Sequence, residues 1–202
     1  REEFFARHGL DTSRPLVSIF PGSRPLELKF LAKTFIKAAK TLQKKHPEVQ
    51  FCISHAPNLS DGIFDKYIHD TDFKVIKGEN QALLSVSDSL ILASGTVALE
   101  ASLYQVPLLI GYKGPWILYL LYLLFRCIKK VSLPNIVTGE DIVPELIQAR
   151  FNADNICYET ERFLYDKEYR KKTIAELGKV RAKLSDKYSA QEVAEEIIKA
   201  LN

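Results

Sequence analysis

Apolar residues along this chain fall into short continuous runs that alternate with stretches of helical spacing. Pro15–Phe20 (PLVSIF) is a β-rich run that stops at Pro21-Gly22, and Phe30–Leu42 then sets Phe30, Leu31, Thr34, Phe35, Ala38 and Leu42 at helical intervals. This reads as strand, tight loop, helix. Val49–Ser54 is the next predicted strand, Gly62–His69 a short helix and Phe73–Ile76 another strand. Asn80–Val86 reads as helix, Ser89–Ala93 (SLILA) as a buried strand, Thr96–Tyr104 as helix and Pro107–Gly111 as a strand without polar alternation. Near-continuous apolar strands separated by helices are the pattern of a parallel sheet covered on both faces, because each strand then has no solvent side. The expected fold is therefore α/β, a Rossmann-like parallel sheet.

After Pro144 the pattern turns helical, with predicted helices at Pro144–Ala149, Ala153–Leu164, Lys167–Leu184 and Ala190–Leu201. The last opens at Ser189 with Glu192 three residues on, a capping-box signature. No polar linker, repeat or low-complexity stretch interrupts the 202 residues, so one domain is expected, an α/β core to about residue 150 followed by C-terminal helices. A hydrophobic share of 47% is ample for a core and excludes disorder as the main state.

Lys and Arg total 28 against 25 Asp and Glu, a net charge of +3 that is too weak to imply nucleic acid as a partner, and none is expected. Cys52, Cys127 and Cys157 are far apart and form no CxxC pair, so neither zinc nor a disulfide framework is indicated, and a reducing compartment fits. Residues 1–10 are charged and amphipathic, unlike a signal peptide, and the lack of any methionine points to a processed chain or a piece of a longer one. The four histidines are dispersed, and only His55, just past a predicted strand, is expected near a site.

Chemistry is expected where strands give way to helices. Gly22-Ser23-Arg24 follows the first strand, with Glu27 three residues beyond the arginine. A glycine there admits close approach of a ligand, free N–H groups at a helix start attract anions, and an arginine offers a planar fork to phosphate. The plain alternative is a βα turn with a surface arginine. Ser94-Gly95-Thr96 repeats the arrangement after SLILA, and Glu100 one turn on could accept both hydroxyls of a ribose. Taken alone, Glu100 reads as a solvated helix carboxylate, the commoner fate of a glutamate. Two such loops on one sheet edge favour a nucleotide.

Trp116–Phe125 is a ten-residue apolar and aromatic stretch, too short to span a bilayer, for which about 20 residues are needed. Basic residues Lys113, Arg126, Lys129 and Lys130 flank it, and no acid occurs between Glu100 and Glu140. Two readings stand side by side. In one the stretch lies in a membrane interface through Trp116, Tyr119, Leu120 and Leu123, with Arg126, Lys129 and Lys130 against anionic head groups. In the other it is a buried helix. Leu133-Pro134-Asn135, with Glu145 and Gln148 downstream, reads as loop.

Taken in order, PGSR with Glu27, SDSLILASGTVALEASLYQVPLLIGYK and VSLPNIVTGEDIVPELIQ resemble the C-terminal half of the lipid-A-disaccharide synthase family, glycosyltransferases of the two-domain GT-B fold. The resemblance runs from about Pro15 to Gln148. It implies one half of a GT-B fold, with Gly22, Ser23 and Arg24 on the diphosphate of a UDP-sugar. Ser94, Gly95 and Thr96 would form the second loop, Glu100 would hold the ribose, and Glu27, Asn135, Glu145 and Gln148 would be further cleft contacts. It also implies transfer of 2,3-diacylglucosamine from its UDP carrier to 2,3-diacylglucosamine 1-phosphate, with no cofactor and no metal. The implied partners are UDP-2,3-diacylglucosamine, a lipid acceptor and a membrane surface, and the implied location is cytoplasmic, peripheral at the inner face of the inner membrane. Pro25 and Leu26 depart from the small or polar residues usual after GSR. An N-terminal domain that would carry the acceptor site and the general base is missing from the sequence, so no catalytic residue is assignable and the chain alone is expected to be inactive. The competing readings are another GT-B enzyme acting on UDP-N-acetylglucosamine, and a non-catalytic nucleotide-binding or membrane-surface module.

Overall fold

The computed structural model of the chain describes residues 1–115, 130–185 and 197–199. Six strands form one sheet: β1 (Leu16–Phe20), β2 (Gln50–His55), β3 (Lys74–Lys77), β4 (Ser89–Ala93), β5 (Leu108–Tyr112) and β6 (Glu145–Ile147). Every pairing is parallel, and the order across the sheet is β3-β2-β1-β4-β5-β6. β1, β2 and β4 are buried at every position, as expected of strands covered on both faces. Edge strand β3 buries only Ile76 and turns Lys74 and Lys77 outward, which protects the edge from pairing with another chain.

The helices are α1 (Glu2–His8), α2 (Pro25–Lys45), α3 (Asp65–Ile68), α4 (Asn80–Val86), α5 (Val97–Leu103), α6 (Leu133–Thr138), α7 (Ala153–Tyr165) and α8 (Lys167–Ser185). Side chains alternate across each strand, so the sheet feeds two cores. Val17, Ile19, Phe51, Ile53, Ile91 and Leu109 pack with α2 and α7, whereas Leu16, Cys52, Leu90, Leu92 and Ile110 pack with α1, α4, α5 and α8. The Rossmann-like expectation holds.

Two local expectations are corrected. Pro144–Ala149 is not a helix. The carbonyl of Pro144 accepts the amide of Ile110, β6 follows in register with β5, and Gln148–Arg150 closes as one 3₁₀ turn. Pairing at the sheet edge overrides a helical pattern only one turn long. Leu133-Pro134-Asn135 opens a helix, α6, since a proline in the first turn gives up an N–H that has no intrahelical partner there. α2 begins five residues before the expected Phe30, α3 is shorter than expected, and the expected Ala190–Leu201 helix lies outside the described residues except at 197–199, which are helical.

Candidate functional site

Strand order makes the site. From β1 the chain runs outward through β2 and β3, and then returns to the other side of β1 to build β4, β5 and β6. In open parallel sheets the loops at such a reversal diverge and leave a crevice at the carboxyl ends of the strands. Here the reversal falls between β1 and β4, where Phe20, the last residue of β1, pairs in register with Leu92. The two loops that leave them are Pro21–Arg24 and Ser94–Thr96, and together they line a cavity of about 400 Å³. Gly22, Ser23, Arg24 and Glu27 form one wall, and Ser94, Gly95, Thr96 and Glu100 form the other.

The first loop is held from within. Gly22 has φ +108°, and a Cβ there would lie 2.5 Å from Glu27 Oε2, so only glycine fits both the conformation and the space. Glu27 Oε2 accepts the amides of Ser23 at 3.2 Å and Arg24 at 3.3 Å. Pro25 starts α2, where its missing N–H costs nothing, so this departure from the family pattern suits the helix start. Across the loop, Asn58 Nδ2 donates to the Ser23 carbonyl at 2.6 Å. The Arg24 guanidinium is largely exposed and lies 3.5 Å from Glu27 Oε1. On the facing loop, Ser94 Oγ donates to the carbonyl of Val131 at 3.1 Å, while Thr96 and Glu100 are exposed. The crevice thus offers one arginine, two helix starts and a carboxylate across from the arginine.

Ser54 and Asn80 also line the cavity, with Ser54 Oγ donating to Asn80 Oδ1 at 2.7 Å. The sequence singles out neither, although Ser54 near the end of β2 and Asn80 at the start of α4 lie at the same sheet edge as the two loops, which is the available signal. His55 is buried beside this wall but does not line it. Its ring meets Phe64 edge-on, Nε2 is 3.2 Å from the Ser60 carbonyl, and Nδ1 is buried without a partner.

Asn135, Glu145 and Gln148 do not line this cavity. Asn135 Oδ1 accepts the amides of Ile142 and Val143, and its Nδ2 donates to Glu145. The Glu145 carboxylate also accepts the amides of Val131 and Ser132 and the Ser132 hydroxyl. Gln148 is paired with both backbone groups of Gly114. A larger opening of about 630 Å³ is lined by Asn135 and Glu145, but its acids Glu140 and Asp141 are paired with Lys179 and Lys130. Trp116, Tyr119, Leu120, Leu123, Arg126 and Lys129 lie outside the described residues. Among the described residues there is no group of three or more His, Cys, Asp or Glu that could hold a metal ion, and no helix long and apolar enough to cross a membrane.

A model of the lipid-A-disaccharide synthetase family matches residues 1–199. The chain belongs to the lipid-A-disaccharide synthase family. The lipid-A-disaccharide synthase of Anaeromyxobacter dehalogenans strain 2CP-1 is 36% identical over 98% of this chain, and that of Geobacter sulfurreducens is 34% identical over 100%. These alignments cover 52% and 53% of the relatives, so the chain spans about half the length of the curated family members it matches. Solved structures agree on the fold. A Neisseria meningitidis UDP-GlcNAc 2-epimerase bound to UDP-GlcNAc superposes with a TM-score of 0.64 at 17% identity, covering 98% of this chain and 48% of that one. The Escherichia coli ADP-heptose heptosyltransferase II gives 0.59 at 11%, covering 83% and 51%. The architecture is one half of a GT-B fold.

Proposed function

We propose that this chain is the UDP-sugar-binding half of a lipid-A-disaccharide synthase. It would hold UDP-2,3-diacylglucosamine while the sugar passes to 2,3-diacylglucosamine 1-phosphate. The observation that carries this reading is the convergence of the Gly22–Arg24 and Ser94–Thr96 loops on one crevice, with Arg24 and Glu100 on opposite walls. Arg24 and the amides of the two helix starts would meet the diphosphate, and Glu100 the ribose diol.

The reaction in this reading is an inverting displacement at the anomeric carbon. As the bond to UDP breaks, negative charge grows on the departing phosphate, and a guanidinium and oriented amides already in contact with it stabilise that charge. That positive charge is supplied without a metal or other cofactor. The acceptor hydroxyl and its general base would come from an N-terminal domain of the same enzyme, which forms the second wall of a GT-B cleft. The chain by itself would therefore bind UDP but form no disaccharide, since the acceptor must be held against the anomeric carbon. The substrates are lipids, which suits a cytoplasmic enzyme seated peripherally on the inner face of the inner membrane. Trp116–Lys130 would be its contact with that surface.

Titration of UDP onto the chain, followed by its amide NMR spectrum, tests the reading. The expected result is saturable shifts at Gly22–Arg24 and Ser94–Glu100. Arg24→Ala should weaken binding by about 1.5–3 kcal/mol, tenfold to a hundredfold, and Arg24→Lys should recover only part, because lysine lacks the planar fork. Unchanged affinity in Arg24→Ala removes the arginine from the phosphate seat.

A further inference from the structure

The seat proposed for the diphosphate is already occupied by a carboxylate of the protein itself. Glu27 Oε2 accepts both the Ser23 and the Arg24 amides, and Oε1 lies 3.5 Å from the Arg24 guanidinium. The two amides are donors with which the loop could meet an anion, and one carboxylate oxygen takes both, while the largely exposed guanidinium stands within ion-pair distance of the other oxygen. Glu27 also lines the cavity, so its charge faces whatever enters. A glutamate at the third helical position often reaches back to cap the helix start, and a purely structural cap would use the same amide of Arg24. The geometry here goes further, because the same oxygen also takes the Ser23 amide, and the space it fills is the space a Gly22 Cβ would need.

We propose that Glu27 is an internal stand-in for phosphate, a gate whose carboxylate keeps the loop shaped while the site is empty and competes with the diphosphate for the same donors. The proposal rests on the UDP-binding reading above. An anion arriving at the loop must displace Glu27 from charge-assisted hydrogen bonds and then sit beside it. On departure the carboxylate returns to the Ser23 and Arg24 amides. The consequence is a nucleoside diphosphate held less tightly than its donors would allow, and released faster. That property suits a transferase, for which UDP is the product that must leave before the next turn.

Glu27→Gln separates gate from cap, because the amide oxygen can still accept from the loop but carries no charge. The test compares UDP and uridine on the 202-residue chain by isothermal titration, with UDP release followed by stopped flow. Thermal melting checks that each variant is folded. Glu27→Gln is expected to bind UDP about tenfold more tightly, mainly through slower release, while uridine affinity stays unchanged. Glu27→Ala, which removes the competitor and the cap together, should fall below Glu27→Gln for UDP. If Glu27→Gln weakens UDP, or moves UDP and uridine by the same factor, Glu27 is only a cap and the gate is overturned. If the parent chain holds UDP no better than uridine and Arg24→Ala changes neither, the phosphate seat itself is refuted, and the gate with it.

Discussion

Asn135 and Glu145 are bound to each other, Nδ2 to Oε1 at 2.8 Å, rather than facing the crevice. Their joint work is to close the chain around the start of α6. Asn135 is 1% exposed and ties the Ile142 and Val143 amides and the Val143 carbonyl, while Glu145 collects four donors from Val131, Ser132 and Asn135. Removing Asn135 leaves these backbone groups buried without partners. Asn135→Ala is therefore expected to cost about 2–4 kcal/mol in urea unfolding, and Glu145→Gln about 1–2 kcal/mol, since one oxygen survives as an acceptor. UDP affinity of the folded variants should equal that of the parent. A loss of affinity with unchanged stability would return both residues to the cleft.

Cys52 and Cys157 are buried, and burial pushes their thiols up to about 12 and about 11, respectively. Thiolate is the reactive form, so neither should react with a disulfide reagent near neutral pH until the chain unfolds. The native state holds these protons more tightly than the unfolded chain, whose thiols ionise near ~8.5. Their contribution to stability is accordingly complete below that value and is lost as pH rises from there towards 12. Site-resolved mass spectrometry after timed alkylation, native against denatured, checks the first point. Labelling of Cys52 at equal rates in both states would contradict it.

How far the sequence reveals this molecule depends on how local each feature is. β1 and β4 are legible because burial on both faces leaves only apolar residues, and SLILA matches β4 residue for residue. β6 is not, because three residues carry no period and its identity comes from pairing with β5. The two phosphate-type loops are visible as strand-to-helix turns. Their meeting in one crevice follows from the order β3-β2-β1-β4-β5-β6, which no local pattern encodes. The pattern around Asn135 and Glu145 reads only as loop, and the resemblance implies cleft contacts, because a polar side chain does not announce whether the protein or a ligand will satisfy it.

Gly111 lies in β5 where Phe35 of α2 and Phe151 meet edge to face, ring centres 5.0 Å apart. A Cβ on Gly111 would come within 2.4 Å of Phe151 and 2.6 Å of Phe35. Both rings are fully packed, so neither can yield without moving α2 or the start of α7. Gly111→Ala is expected to destabilise the fold by about 1–3 kcal/mol, the usual cost of overpacking a core. An unchanged urea midpoint would show that this core accommodates a methyl group.

Glu100 is the residue whose two readings differ most in consequence. Its backbone is fixed in α5, the helix that leaves the Ser94–Thr96 loop, and its side chain is exposed on the wall opposite Arg24. A solvated carboxylate there would be indifferent to the sugar of a bound nucleotide. A carboxylate that accepts from both ribose hydroxyls is not, because hydrogen bonds to a charged acceptor are strong and the second is lost when the 2′-hydroxyl is absent. The discriminating measurement is a cycle of two proteins and two ligands, the parent and Glu100→Gln against UDP and 2′-deoxy-UDP. Under the ribose reading, the parent prefers UDP, and Glu100→Gln weakens UDP by about tenfold while changing 2′-deoxy-UDP much less. The unequal loss isolates the contact between carboxylate and 2′-hydroxyl, since general damage to the site would lower both affinities by the same factor. Equal losses for the two nucleotides, or none, would leave Glu100 a solvent-facing residue of α5 and shift the search for the ribose contact to Ser54 near the end of β2 and Asn80 at the start of α4.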